Sequence, residues 1–138
     1  MSILAPVATK NERLLSYIER GQSDNALGLL LEMQDAAAES SEAIPPEAIL
    51  MASSKGFSDV VDALLDSGAD IEAREVAPAF TGRTPLLLGS AGGFPRVVEV
   101  LLARGADHEA RDADGMDAIA LASSRELREV VVSTLDGI

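Results

Sequence analysis

Three residues near the carboxyl end of the chain have the types and spacing of a fragment of a calcium-binding loop. Asp112, Asp114 and Gly115 match part of the EF-hand pattern, in which oxygen ligands at fixed intervals converge on one cation. The same frame places Ala110 at the first ligand position and Leu121 at the position of the bidentate Glu, so the ligand set is incomplete. The sequence therefore predicts an Asp-Gly turn here and no metal site.

Other candidates for chemistry are also incomplete. His108 is the one histidine and the chain has no cysteine, so a transition-metal cluster cannot be assembled around it. The run from Gly89 to Gly93 resembles a phosphate-binding loop, but no P-loop, dinucleotide-binding or nucleophile-elbow motif is present. Its small residues suit closely packed helices. We therefore expect no enzymatic activity, no cofactor and no metal.

Composition bounds the class of protein. The 138 residues are 47% hydrophobic but only 3% aromatic, which suits one domain of closely packed helices. A net charge of −12 argues against generic binding to nucleic acid or to anionic membranes. The absence of cysteine agrees with a reducing compartment, and neither a signal peptide nor a membrane-spanning stretch is evident. These features predict a cytoplasmic protein that is monomeric when free.

The elements that would position any site repeat along the chain. Residues 56–75 and 93–112 are identical at 12 of 20 aligned positions, with a constant offset of 37 residues. Within the second of these copies, Val97, Val98, Leu101 and Leu102 form a helical stripe. Self-similarity at this period indicates a repeat architecture.

Capping residues divide each copy into two helices. Thr84 is a candidate N-cap with Pro85 at the first helical position, Pro95 lies near the start of the second helix, and Gly105 follows its last turn. Asp117 stands where Thr84 stands one copy earlier. We expect the core position of Leu86 to be filled in the other copies by Leu14, Ile49 and Ile119.

The pattern resembles the ankyrin repeat. The residues that carry the resemblance are GRTPL at 82–86, VVEVLL at 97–102 and GADHEARDADG at 105–115, with VVDALL at 60–65 and GADIEAR at 68–74 repeating them. The resemblance implies an all-α solenoid of stacked helix-turn-helix units whose loops project as β-hairpin fingers. It also implies that partners bind at the finger tips and along the concave face of the first helices.

Four repeats are predicted after a short tail, with divergent terminal copies acting as caps. The predicted tail is 1–8 and the single domain is 9–138, with repeats at about 9–42, 43–78, 79–111 and 112–138. The interval between the second and third copies is longer than the next, and the additional residues lengthen one finger at 74–82.

Two kinds of residue are candidates for partner contacts. Basic residues recur at positions that the repeat frame places towards the concave side, whereas Asp59, Asp62, Asp66 and Glu99 fall on second helices, towards the convex side. Lys55, for example, ends a first helix, where Arg20 and Arg125 are expected at the equivalent position. The eight candidates, including one aromatic in the long finger, are Arg20, Lys55, Arg74, Phe80, Arg83, Arg104, Arg111 and Arg125.

Each candidate also has a structural explanation. Arg74 and Arg111 could pair with Glu72, Glu109 or the Asp of the GAD motif, and the helix-end cations could simply be solvated. Phe80 could fold onto its own finger, and Phe57 and Phe94, at equivalent positions, are expected to seal neighbouring repeats.

The sequence therefore favours a protein-binding module without chemistry of its own. It would bind one partner with an acidic segment and act as an inhibitor, an immunity-type protein or an adaptor by occlusion. One alternative is a regulator of a transcription factor or another nucleic-acid-associated protein. A second is a small-ligand or nucleotide-binding protein that uses the Gly89–Gly93 turn.

Overall fold

Eight helices account for most of the ordered backbone. The computed structural model describes residues 9–35, 44–75, 81–122 and 124–136. In these ranges the helices are α1 (Lys10–Glu19), α2 (Ser23–Asp35), α3 (Pro46–Lys55), α4 (Ser58–Asp66), α5 (Pro85–Gly92), α6 (Pro95–Ala103), α7 (Ala118–Leu121) and α8 (Arg125–Asp136). They form four consecutive pairs, each joined by a short turn.

Local sequence signals set where the helices begin. The hydroxyl of Thr84 accepts a hydrogen bond from the Leu87 amide at 3.3 Å, and the Asp117 carboxylate accepts one from the Ala120 amide at 2.9 Å. Pro85 and Pro95 occupy the first turns of α5 and α6, where a missing N–H leaves no carbonyl unpaired. The predicted caps are thus confirmed.

Glycine ends the first helices of the two central pairs. Gly56 and Gly93 follow α3 and α5 with φ values of 82° and 79°, in the left-handed region that costs a residue with a Cβ about 1–2 kcal/mol. Their positions allow the chain to reverse within two residues and begin α4 or α6.

The pairs stack into two layers. The first helices α1, α3, α5 and α7 pack in chain order, and so do the second helices α2, α4, α6 and α8. Between the layers lies one apolar core, to which Leu14, Ile49 and Leu86 contribute equivalent, fully buried side chains. The large side chains that are less than 2% exposed are Leu14, Ile18, Leu30, Ile49, Leu64, Leu86, Leu87, Leu101, Leu102, Val60, Val61 and Val97.

One expected core residue is not in the core. Ile119 is 37% exposed, whereas Leu86, its equivalent one repeat earlier, is 1% exposed. The reason is positional: α7 packs against the helix that carries Leu86, and no described helix follows α7 in the layer of first helices.

Two loops between the pairs are described in enough detail to compare. We call residues 67–84, between α4 and α5, finger A and residues 104–117, between α6 and α7, finger B. In finger A the Glu75 amide donates to the Arg83 carbonyl at 2.9 Å and the Gly82 amide to the Glu75 carbonyl at 3.0 Å. These are hairpin hydrogen bonds, but no residue in the described ranges belongs to a β-strand. The fold is all-α, as predicted, with hairpin-like rather than strand-forming fingers.

None of the described helices combines the length and the apolar character needed to cross a membrane.

Candidate functional site

Fingers A and B are joined by hydrogen bonds between equivalent positions of neighbouring repeats. The Glu72 carboxylate accepts a bond from the Asp107 amide at 3.0 Å, and the Arg74 guanidinium Nη1 donates to the Arg111 carbonyl at 2.7 Å. Further along, the Ala113 amide donates to the Thr81 carbonyl at 2.9 Å. The fingers therefore form a continuous surface along one side of the stack.

A buried carboxylate organises finger B. The side chain of Asp112 is 1% exposed and accepts bonds from the Met116 amide at 3.0 Å and the Asp114 amide at 2.9 Å. The Arg83 guanidinium Nε lies 3.4 Å from its other oxygen. The hydrogen bond from Met116, then those from Asp114 and Arg83, lower the pKa of Asp112 below its ordinary value, and burial opposes them in part. These contacts make the Asp-Gly segment a turn, as the sequence predicts.

The two finger arginines bind carbonyl groups rather than carboxylates. Arg74 Nη1 donates to the carbonyls of Gly82 and Arg111 at 2.8 and 2.7 Å, and Arg111 Nη1 donates to the Gly115 carbonyl at 3.4 Å. The interpretation of Arg74 and Arg111 as members of a local ion-pair network is therefore wrong within the described residues. Both side chains are nevertheless exposed, and each keeps a formal charge at the finger surface.

Arg104 lies on a different side from the one expected. Its guanidinium contacts the carboxylates of Asp66 at 2.6 Å and Asp62 at 2.7 Å, so it ties α6 to α4. The hydrogen bond to Asp66, with help from Asp62, raises the pKa of Arg104. Because Asp62 and Asp66 lie on the second helix of the preceding pair, the placement of Arg104 opposite them, with the groove residues, is wrong.

The helix-end cations divide in the same way. Arg20 caps the end of α1 and Lys55 is the last residue of α3, both exposed, as the repeat frame predicts. Arg125 instead begins α8 and lies 3.4 Å from Glu129, so its assignment to the end of a first helix is wrong. The reason is local: Ser124 accepts a bond from the Leu127 amide at 3.1 Å and so starts α8 early.

The glycine-rich run is filled by packing. A Cβ at Gly89 would lie 2.8 Å from the Val97 Cγ1 atom, and one at Gly92 would lie 2.6 Å from the Phe94 ring. These contacts leave no cradle for a phosphate at the turn between α5 and α6. No group of three or more potential metal ligands converges within the described part of the chain either.

The aromatic residues have separate fates. Phe94 covers Gly56 of the preceding repeat and Phe57 covers Gly21, so both act as the predicted seal between repeats. Phe80, the predicted aromatic anchor of the long finger, lies outside the described residues.

Glu72 is a finger residue that the sequence interpretation did not single out as an inter-finger acceptor. The signal was present, since Glu recurs at the equivalent position 109 inside the identical stretch E-A-R. A carboxylate that repeats with the period of the stack is a candidate for a contact that also repeats.

The stacked helix pairs, the glycine turns and the mutually bonded fingers define a repeat solenoid with an interaction surface in place of a catalytic centre. The chain belongs to the ankyrin repeat family: the family model for three copies of the ankyrin repeat matches residues 14–112. Ankyrin repeats are protein–protein interaction modules, in general without enzymatic activity. A search of curated protein sequences found no match to this chain.

Proposed function

We propose that this ankyrin-repeat chain binds one protein partner through the ends of its first helices and through its fingers. The observation that carries the proposal is the pair Arg20 and Lys55, which are exposed at equivalent helix ends and contact no carboxylate within the described residues. In a chain with 23 acidic and 11 basic residues, most cations have an acidic neighbour within reach. Two that do not are candidates for the acids of a partner.

The spacing supports a shared contact. Helices α1 and α3 pack directly against each other, which places their axes about 8–10 Å apart. Arg20 and Lys55 can therefore meet successive acidic groups on one segment, and the surrounding negative surface would repel segments of the same sign elsewhere. Exposed Arg74 and Arg111 extend the cationic positions onto the fingers. Arg83 and Arg104 are engaged within the chain and support the surface.

The proposed action is occlusion of the partner, as an inhibitor, an immunity-type protein or an adaptor. The partner would present an acidic segment, and the chain would act as a non-enzymatic cytoplasmic monomer. The high net negative charge of −12 favours the monomer, since copies of the chain repel one another.

Charge reversal tests the proposal. The immobilised chain is used to recover a stoichiometric partner, and the affinity of the purified partner is then measured for the wild type and for Arg20→Glu/Lys55→Glu. We expect the double variant to bind at least about tenfold more weakly at low salt, with a smaller difference at high salt. Arg96→Glu, an exposed cation at the start of α6, is the matched control. Undiminished affinity of the double variant with unchanged melting would refute the assignment.

A further inference from the structure

The contacts between fingers A and B define what we call the filled clamp, made of Glu72 and Arg74. Glu72 accepts the Asp107 amide at 3.0 Å and Arg74 donates to the Arg111 carbonyl at 2.7 Å. The clamp thus holds one backbone N–H and one backbone C=O that lie four residues apart. It recognises main chain, so it places little demand on the side chains of its occupant.

Finger B carries a second copy of the same device, the open clamp, made of Glu109 and Arg111. These residues follow Glu72 and Arg74 by the repeat offset of 37. Arg111 Nη1 bonds the Gly115 carbonyl, just as Arg74 Nη1 bonds the Gly82 carbonyl within its own finger. The inter-finger bonds of the filled clamp have no counterpart at the open one among the described residues, and both of its side chains are exposed.

Apolar surface adjoins the open clamp. Met116 and Ile119 are each 37% exposed, and Ile119 stands where the buried Leu86 stands one repeat earlier. A depression lies between finger B and α7, and it is lined by His108, Glu109, Arg111, Asp117 and Ile119. The edge therefore combines a main-chain acceptor, a main-chain donor and an apolar shelf in one concave place.

We propose that this edge docks a loop of a partner protein. The loop presents an N–H to Glu109 and, four residues later, a C=O to Arg111, in the turn that Asp107–Arg111 adopts in the filled clamp. An apolar side chain of the same loop covers Ile119 and Met116. The proposal rests on the proposed protein-binding function but uses main-chain recognition, whereas Arg20 and Lys55 are assigned to an acidic segment.

Continuity with an interface already present in the molecule supports this occupant. The filled clamp shows that Glu and Arg at these positions hold a turn when one is offered at the next level of the stack. A partner loop is favoured over a second copy, because two chains of net charge −12 repel each other. A carboxylate and a guanidinium that bond main-chain groups also give stronger hydrogen bonds than neutral pairs do.

The occupant of the filled clamp supplies the probe. A constrained cyclic peptide with the sequence of residues 104–113 is titrated into the full-length, ¹⁵N-labelled chain. We expect amide shifts centred on Glu109, Arg111 and Ile119. Glu109→Ala should weaken binding by about fivefold or more, because it removes a charged acceptor that makes no other described hydrogen bond. Arg111→Ala should do the same, and Arg96→Ala, on α6, should leave the affinity unchanged.

Three results would overturn the proposal. Absence of binding would remove the docking site, and shifts centred on Glu72 and Arg74 would mean that the peptide displaces the chain's own finger B. Self-association of the wild type in a sedimentation series, abolished by Glu109→Ala, would assign the edge to a second copy. The Arg20→Glu/Lys55→Glu variant separates the two proposals, since it should bind the peptide normally whether or not the acidic-partner assignment holds.

Discussion

The ring of Phe94 lies over Gly56, in the turn of the preceding repeat, so closely that a Cβ at position 56 would stand 2.5 Å from the Cδ1 atom of the ring. Phe57 covers Gly21 in the same way, with a corresponding distance of 3.7 Å. Glycine at the turn and phenylalanine one repeat later are therefore complementary. The repeat of the pair links the local turn to the stacking of one helix pair on the next.

Gly56→Ala should destabilise the chain more than a left-handed glycine alone explains. The φ of 82° costs an alanine about 1–2 kcal/mol, and displacement of the Phe94 ring should add about 1–3 kcal/mol. Gly105→Ala is the control, since Gly105 has a φ of 90° but no atom within 4 Å of an added Cβ. Urea denaturation measures both free energies of unfolding. Equal losses would show that the Phe94 contact adds nothing.

Leu101→Ala should be among the costliest single changes. Leu101 is 0% exposed in α6, which packs against α4, α5 and α8, so the cavity has no route for water. Truncation of such a leucine typically lowers the free energy of unfolding by about 2–5 kcal/mol. Leu31→Ala, at a leucine that is 63% exposed on α2, should cost less than about 0.5 kcal/mol. Similar losses at the two sites would contradict the packing of α6.

The helix pairs were predictable from the sequence because their causes are local. Thr84, Pro85 and Gly105 act through neighbouring backbone groups, so their roles can be inferred from residue type and spacing. The 37-residue offset then carries one interpreted repeat onto the next. The same reasoning succeeds for the Phe57 and Phe94 seal, because both follow a turn glycine at the same interval.

The errors concern contacts that stacking creates between distant residues or changes at the last pair. Arg104 reaches Asp62 across 42 residues, and nothing in the local sequence indicates that side-chain direction. The repeat frame also fails at Arg125, where Ser124 provides an N-cap that the other copies lack. A frame transfers positions faithfully only where each repeat has the same neighbours and the same caps.

Replacement of Arg104 by Gln should have a small and salt-dependent effect. The side chains of Arg104, Asp62 and Asp66 are 34%, 51% and 53% exposed, so solvent screens the two ion pairs. We expect a loss of about 1 kcal/mol or less in the free energy of unfolding at low salt, shrinking further at 1 M salt. Arg96→Gln serves as the control. A loss that is independent of salt would assign the role of Arg104 to packing of its aliphatic stem instead.

Asp112→Asn should reveal a stabilising contribution that depends on pH. Hydrogen bonds from Met116 and Asp114, together with Arg83, lower the pKa of the Asp112 carboxyl in the folded chain below the value of about 3.9 in an unfolded chain. A carboxyl with a lowered folded pKa stabilises the protein above its unfolded pKa, and this contribution disappears as pH falls through the folded pKa. The wild type should therefore exceed Asp112→Asn in free energy of unfolding at pH 7, and the difference should narrow below about pH 4. Denaturation of both proteins across this range measures the difference. Asp114→Asn, at an exposed carboxylate that accepts no described hydrogen bond, should show little difference from the wild type at pH 7. A gap between wild type and Asp112→Asn that stays constant from pH 7 to pH 2 would mean that the amide loses shape complementarity rather than charge.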